Sequence, residues 1–125
     1  MKRKIYLAGK MSGLPEFNYP AFNEAEATLR AQGHTVLHPA ENPVPACGTW
    51  QGYMRLALAQ LVQCECIVLL PGWCESKGAL IERKLAQILG MEVLLFNAGD
   101  PFPMVPMTCV IDGLRGEIAP EWRAS

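Results

Sequence analysis

Short apolar runs and longer amphipathic segments alternate along this chain from residue 4 to residue 96. The apolar runs have the length of strands, and each ends at a glycine, a proline or a polar residue. The longer segments repeat apolar residues every three or four positions, as amphipathic helices do. The predicted strands are 4–8, 35–37, 66–70 and 91–96, and the predicted helices are 20–32, 50–63 and 78–89. This alternation predicts a parallel sheet with helices on both faces.

The order of the strands follows from two general rules. Parallel strands are joined by right-handed crossovers, and ligand-binding α/β sheets reverse their winding beside the first strand. The simplest arrangement is therefore a flavodoxin-like three-layer α/β sandwich with strand order 2-1-3-4. After Asn97, three prolines exclude a helix, and Cys109–Ile111 is a possible fifth strand at the sheet edge. Ile118 and Trp122 suggest that the tail packs on the domain or on a partner subunit.

Capping residues mark the ends of the predicted helices. Pro20 fits the first turn of the first helix, and Gly33 ends it. Thr49 is placed to cap the second helix, and Ser76 is placed to cap the third. Gly90 follows the third helix in the position of a C-cap glycine.

Length and charge limit the class of protein. A chain of 125 residues and 13.8 kDa predicts a single domain, with a core at about 3–97 and a C-terminal extension at 98–125. Eleven Lys and Arg residues and twelve Asp and Glu residues are scattered along it, so no basic patch predicts binding to duplex nucleic acid or to an anionic membrane. No apolar run is long enough to cross a bilayer, and the start does not resemble a signal peptide. We expect a cytoplasmic protein.

The cysteines indicate reduced thiols. Five is an odd number, and Cys64 and Cys66 are expected on one face of the third strand. With only His34 and His38 available, no zinc-ligand spacing is present. We expect neither a metal nor a cofactor. Cys74 is the exception, because its loop should be exposed near the candidate site.

The run from Glu65 to Gly90 is the most informative part of the chain, since it combines a strand, a turn-rich loop and a helix. Glu82 lies off the apolar stripe of that helix, and Gly78 and Ala86, one turn away on either side, should leave open space around it. A first-turn carboxylate beside the carboxyl end of a parallel strand is where open α/β sheets bind ligands. The alternatives are that Glu82 complements the helix dipole or lies on a solvated face.

Several short motifs occur in an order that resembles the nucleoside 2-deoxyribosyltransferase superfamily. They are IYLAG-x-MSG, FNYPAFN, HPAE, LLPGW and SKGA-x-x-E, and together they cover roughly residues 3 to 97. Gly78, Glu82, Ala86 and Gly90 fill the places of the superfamily's nucleophile segment. The pattern is most similar to a small, often phage-encoded branch of the DUF4406 type. The resemblance implies a flavodoxin-like fold and a nucleoside or nucleotide as the ligand.

The resemblance also implies cleavage or transfer at the N-glycosidic bond, with Glu82 as nucleophile at the anomeric carbon. A proton donor for the leaving base is then required. The superfamily commonly has an Asp on the helix before the third strand, and this chain has Ala57 there. Glu65 begins its strand and lies at the wrong end. The remaining candidates are the phenol of Tyr53 and the rim-loop residues Glu41, His38 and Glu75.

The other expected substrate contacts lie on loops at the carboxyl ends of the strands. Ser12, Ser76 and the N–H groups of the third helix are placed to hold a 5′-phosphate, although the glycines near Ser12 equally fit a tight turn. Phe17 and Trp73 could stack on a base or fold over the core, and Asn18 could bond a sugar or cap a helix. The expected binding residues are Tyr6, Gly9, Met11, Ser12, Gly13, Phe17, Asn18, His38, Gly72, Trp73, Ser76 and Gly78.

Two classes of function follow. The first is an enzyme, either a nucleoside 2-deoxyribosyltransferase or a deoxynucleotide N-glycosidase. The second is a nucleotide-binding or sensing module that kept the crevice and lost the reaction, as Ala57 suggests. A purely structural role would make Gly78, Glu82 and the MSG loop coincidental. The resemblance further implies a homodimer or higher homo-oligomer, with Asn97 and the proline-rich tail as the candidate contact.

Overall fold

The computed structural model describes residues 2–11, 13–39, 48–97 and 103–107, and its strands form one sheet in the order β2-β1-β3-β4-β5. The strands are β1 (Lys4–Ala8), β2 (Thr35–Leu37), β3 (Cys66–Leu69), β4 (Glu92–Phe96) and β5 (Met104–Pro106). The helices are α1 (Tyr19–Ala31), α2 (Trp50–Leu61) and α3 (Lys77–Ile88). Short 3₁₀ turns occupy Pro15–Asn18 and Trp73–Glu75.

The predicted flavodoxin-like topology is confirmed. The pairs β1–β2, β1–β3 and β3–β4 are parallel, as the alternation of strands and helices requires. The fifth strand lies at Met104–Pro106 and runs antiparallel to β4, and Asn97 N–H donates to the Pro103 carbonyl at 2.7 Å where the chain turns back. Pro106 is tolerated there because an edge strand does not need every N–H. The predicted strand at 109–111 lies outside the described residues.

The sheet separates two apolar cores. On one side, here called the α1 face, Phe22, Ala25 and Leu29 of α1 pack on alternate residues of the strands. On the other side, the α2–α3 face, both remaining helices pack on the intervening residues, among them Tyr6 and Ala8 of β1. Alternate residues of a strand point to opposite faces, so the position of a residue along β1 decides which core it enters.

The predicted helix ends are confirmed by their hydrogen bonds and backbone angles. Thr49 Oγ1 accepts from Gly52 N–H at 3.0 Å, and Ser76 Oγ accepts from Ala79 N–H at 3.1 Å. Gly90 has φ of 75°, a left-handed conformation that glycine adopts without a Cβ clash. None of the helices in the described ranges has the length and apolar character needed to span a membrane.

The placement of two cysteines differs from the prediction. Cys64 precedes β3 and packs on the α2–α3 face, where its thiol donates to the Gln60 carbonyl at 3.4 Å. Cys66, inside the strand, packs on the α1 face, so the two thiols do not share a face. Burial raises the pKa of each thiol to about 11, which keeps both protonated at neutral pH. Cys47 and Cys109 lie outside the described residues.

Candidate active site

A buried hydrogen bond between β1 and α3 is the central feature of the site. Tyr6 lies in the middle of β1 on the α2–α3 face and is fully buried, and α3 crosses that face with Glu82 turned toward it. The Tyr6 hydroxyl donates to Oε2 of Glu82 at 2.5 Å, and only 4% of Glu82 is exposed. One carboxylate oxygen of Glu82 is thereby fixed.

The surroundings change the protonation of both groups. Burial raises the pKa of Glu82 to about 7, although the hydrogen bond from Tyr6 acts in the opposite direction. Burial and the adjacent Glu82 raise the pKa of Tyr6 well above its ordinary value. Tyr6 therefore stays a donor, while Glu82 divides between its acid and carboxylate forms near neutral pH. A carboxyl group with this pKa is characteristic of functional sites.

The environment of Glu82 differs from the sequence-based expectation in two respects. Helix α3 begins at Lys77, so Glu82 is its sixth residue and lies beyond the first turn. The helix dipole acts most strongly on residues within the first turn. Its neighbours do not leave open space, because a Cβ at Gly78 would lie 3.1 Å from Met54 Sδ and Ala86 is fully buried. The small residues admit packing from α2 instead of solvent. The solvated-face alternative is wrong for the same reason.

Close packing of strand ends shapes the rim above this pair. A Cβ at Gly9 would lie 3.0 Å from Leu70 Cβ, so a larger residue would require the loop after β1 and the end of β3 to move apart by a few tenths of an ångström. Asn18 occupies the N-cap position of α1 but forms no capping bond. Its side-chain amide donates to the Lys10 carbonyl at 3.0 Å and ties the loop to the helix. Capping by Asn18, the alternative from sequence, is therefore wrong.

Several residues of the loop after β1 have positive φ angles. Gly13 has φ of 81°, in the left-handed region. Three successive residues, Glu16, Phe17 and Asn18, also have positive φ between 52° and 63°, which is uncommon outside glycine. Met11 packs against the α1-face core. Ser12 lies outside the described residues.

The two rim aromatics take different positions. Trp73 is partly buried and packs against the core of the α2–α3 face, the face that carries Glu82. It follows Gly72, whose φ of 88° lets the chain turn after β3. Phe17 is 60% exposed beside the ring of Tyr19 at the start of α1. Of the two, Trp73 is the better placed for a ligand at Glu82.

His38 lies on the opposite side of the sheet from Glu82. It is 1% exposed on the α1 face, and its ring stacks on Phe22 with 5.6 Å between centroids. Its Nε2 lies 3.3 Å from Oε1 of Glu26, which also pairs with Arg30. The described contacts of His38 are therefore with α1 and not with the Glu82 pair.

The other predicted proton donors that the structure describes do not lie together around Glu82. Tyr53 is 42% exposed on α2, and Glu75 is exposed and pairs with Lys10. Glu65 is exposed at the amino end of β3, where it accepts from the Lys4 backbone, as expected for a residue remote from the rim. Glu41 lies outside the described residues.

Ala57 is buried, so a carboxylate at its position would lose its hydration. It is 4% exposed within the α2–α3 core, one turn from the exposed Tyr53. Cys74, by contrast, is exposed in the turn after β3, as its loop position predicts. Among the described residues, no group of three or more metal-ligating side chains is present.

Two surface cavities in the described part of the chain lie away from the Tyr6–Glu82 pair. One, of about 330 Å³, is lined by Arg3, His34, Glu92, Leu94, Met104 and Pro106. The other, of about 390 Å³, is lined by Leu80, Ile81, Lys84, Leu85 and Ile88 on the outer side of α3. Residues 40–47, which follow β2, and 98–102, which follow β4, lie outside the described ranges.

The cap of the helix that carries Glu82 gives a direct test of this local structure. Ser76→Ala removes the acceptor for Ala79 N–H and should lower the free energy of unfolding by about 1 kcal/mol, measured by urea denaturation at pH 7. Ser76→Thr keeps a hydroxyl and should lose less than half as much. Equal stability of Ser76→Ala and the wild type would show that the bond contributes nothing.

Comparisons with known proteins agree with this fold. Residues 3–95 match the family described as Domain of unknown function (DUF4406), from the start of β1 into β4. The chain belongs to the DUF4406 family. A comparison with curated protein sequences found no match.

Among solved structures, this DUF4406 chain is similar to the 2-deoxyribosyltransferase of Bacillus psychrosaccharolyticus, a biocatalyst for the synthesis of antiviral and antitumoral nucleosides. The two are 26% identical and superpose with a TM-score of 0.62, covering 87% of this chain and 80% of the other. The likeness extends over most of both chains. The deoxyribosyltransferase-like fold expected from the sequence is therefore confirmed.

Proposed function

We propose that this protein binds a deoxynucleoside or its 5′-monophosphate and cleaves or transfers at the N-glycosidic bond, with Glu82 as the nucleophile. The observation that carries the proposal is the buried Glu82 carboxyl, held through one oxygen by Tyr6. Burying a carboxylate costs stability, so a buried carboxyl group with a raised pKa is a candidate for a functional role. The likeness to a 2-deoxyribosyltransferase at 26% identity supports the choice of substrate class.

The reaction that we propose is a two-step displacement. Oε2 of Glu82 is bound by Tyr6, so Oε1 is the oxygen that attacks the anomeric carbon. The bond from Oε1 to C1′ forms as the C1′–N bond breaks, and the base leaves with that electron pair and gains a proton from an acid. A second base or a water molecule then attacks C1′ from the face the first base left and gives a proton to the group that served as the acid, and Glu82 departs as a carboxylate. Two displacements retain the configuration at C1′.

Tyr6 serves this scheme as a positioning group. Its raised pKa keeps the hydroxyl protonated, so it donates to Glu82 at every working pH. The same bond opposes the effect of burial on the pKa of Glu82 and increases the fraction of the reactive carboxylate. Trp73, on the same face, is the residue we assign to stacking on the base.

A second candidate is a binding or sensing module without turnover. The observation that favours it is Ala57, which is buried where the superfamily commonly has an Asp. Incubation with deoxynucleosides, their monophosphates and an acceptor base, followed by chromatography, distinguishes the two functions. Free base or a new nucleoside supports the enzyme, whereas ligand-induced thermal stabilisation without either product supports the binding module.

Replacing Tyr6 should change the pH dependence of the reaction. Tyr6→Phe removes the hydrogen bond that lowers the pKa of Glu82, so that pKa should rise above about 7. The acid limb of the pH profile of kcat/KM should then move to higher pH. The decrease in kcat/KM should therefore be larger at pH 6 than at pH 9. Tyr19→Phe, at an exposed tyrosine on α1, is the control. An unchanged acid limb in Tyr6→Phe would contradict the proposed role.

The proposal also includes assembly as a homodimer or a higher homo-oligomer. Light scattering coupled to size-exclusion chromatography tests this part independently of any ligand. A monomer at micromolar concentration would contradict it.

A further inference from the structure

The carboxyl group that we propose as the nucleophile is covered by its neighbours. Only 4% of Glu82 is exposed. The proposed reaction requires the anomeric carbon of a sugar to come within about 3–3.5 Å of the attacking oxygen. A sugar ring cannot approach so closely to a group with this exposure while the surrounding side chains stay in place. At least one of them must therefore move before a ligand reaches Glu82.

Helices α2 and α3 both begin at the rim, the edge of the sheet where the parallel strands end. Thr49 caps α2 and Ser76 caps α3 at that edge. Gly78 is the second residue of α3, and Glu82 lies on the same side of the helix, about 6 Å farther from the rim. A helical side chain leans toward the N-terminal end of its helix, so Glu82 leans toward Gly78. A side chain that packs on Gly78 therefore lies on the rim side of Glu82.

Met54 of α2 occupies the space that Gly78 leaves. A Cβ at Gly78 would lie 3.1 Å from Met54 Sδ and 3.9 Å from Met54 Cε, so the thioether reaches across to the backbone of α3. Met54 is half-buried, and part of it therefore lies at the protein surface. A side chain in this position covers Glu82 on the side that faces the rim.

The chemistry of methionine suits a cover that has to open. Its side chain is unbranched, rotates about three bonds and has only a polarisable thioether near its end. Rotation about these bonds takes the thioether away from Gly78 without moving either helix. Trp73, on the same face, is less suited to this role, because its large rigid ring packs against the core and its movement would expose more apolar surface.

We propose that Met54 is a gate, which covers Glu82 against solvent and rotates away from Gly78 to admit the sugar of a nucleoside. The inference rests on the proposed function for the identity of the ligand. It adds a residue that controls access to the same site. Met54 takes no part in the bond changes at C1′ and acts only through the exposure of Glu82.

Chemical labelling of Glu82 tests this access without any ligand. A water-soluble carbodiimide with a small amine converts accessible carboxyl groups to amides at pH 6, and peptide mass spectrometry gives the rate at each residue. The rate at Glu82 is divided by the rate at Glu24, an exposed residue of α1. Met54→Leu keeps a large apolar side chain, whereas Met54→Val and Met54→Ala shorten it in steps.

Leu58→Ala is the matched control. Leu58 is half-buried on α2, one turn beyond Met54 on the same side and farther from the rim. Its truncation removes the same number of side-chain heavy atoms as Met54→Ala and weakens the packing of the same helix. It leaves the thioether of Met54 in place beside Gly78.

Met54→Ala should increase the normalised labelling rate of Glu82 by about fivefold, because space for a water molecule opens on its rim side. Met54→Leu and Leu58→Ala should stay within about twofold of the wild type, and Met54→Val should lie between these values. An unchanged rate in both Met54→Val and Met54→Ala overturns the inference, as does an equal increase in Leu58→Ala. If Met54→Ala does not fold, Met54→Val decides the test.

Base release from a deoxynucleoside, measured for the same proteins, separates this inference from the proposed function. Base release by the wild type together with unchanged labelling in the Met54 variants overturns the gate and leaves Glu82 as the nucleophile. Faster labelling in the Met54 variants, without base release or ligand-induced stabilisation in any protein, supports the cover over Glu82 and contradicts the proposed function.

Discussion

Glu82→Gln should lower the rate of base release from a deoxynucleoside by at least about 10³-fold. Glutamine has nearly the same shape, and its amide oxygen can still accept the hydrogen bond from Tyr6. It has no carboxylate, so it cannot form the bond to C1′ that the first displacement requires. The measurement is the initial rate of base release, followed by chromatography at pH 8, where the wild-type carboxyl group is mostly ionised.

Glu24→Gln is the matched control for this variant. Glu24 is an exposed residue of α1, the helix that covers the other face of the sheet. Its substitution should change the rate by less than about twofold, as for a surface residue outside the site. Base release by Glu82→Gln within tenfold of the wild-type rate would exclude Glu82 as the nucleophile.

Glu82→Gln should also stabilise the protein at alkaline pH. Glu82 has a pKa of about 7 in the folded protein against an ordinary value of 4.5, so the folded state binds this proton more tightly than the unfolded state does. Wild-type stability should therefore fall as pH rises from about 4.5 to about 7, and it should stay reduced at higher pH. The difference between the two pKa values corresponds to on the order of 3 kcal/mol. Glutamine does not titrate, so Glu82→Gln does not lose this stability as the pH rises.

Urea denaturation at pH 4.5, 6, 7 and 8.5 checks this prediction. The free energy of unfolding of Glu82→Gln minus that of the wild type should be smallest at pH 4.5 and should increase by about 3 kcal/mol toward pH 8.5. Glu24→Gln is measured alongside as the control for replacing a glutamate at the surface. A difference for Glu82→Gln that is constant across this range would show that the carboxyl group is not buried in the folded protein.

The strands and helices could be predicted because each follows from a local pattern. The run around Ile67 and Val68 is apolar throughout, and the structure covers it on both faces. The third helix was predicted at 78–89 and lies at Lys77–Ile88, because Ser76 caps its start. Strand β5 is the exception in this part of the chain. It has only three residues and contains a proline, so its pairing with β4 depends on tertiary contacts that the sequence pattern does not express.

The candidate site was harder to predict from the sequence, because its central contact joins residues 76 positions apart. Tyr6 was expected as a substrate contact, and its hydrogen bond to Glu82 was not predicted. A signal was present, since a tyrosine inside a strand covered on both faces needs a partner for its hydroxyl. Met54 was also missed, because the small size of Gly78 suggested open space and not room for a neighbour.

In the described part of the chain, the sheet ends in a short strand on both sides, and this disfavours association through the sheet edges. Strands β2 and β5 have three residues each, and Pro106 deprives β5 of an N–H. A foreign strand would find few backbone groups to bond at either border, so templated growth into a continuous β-ribbon is disfavoured. Among the described elements, side chains on the helices and loops are therefore favoured over these two edges for any contact between copies. Mutations that expose a longer border would carry a risk of fibrous aggregation.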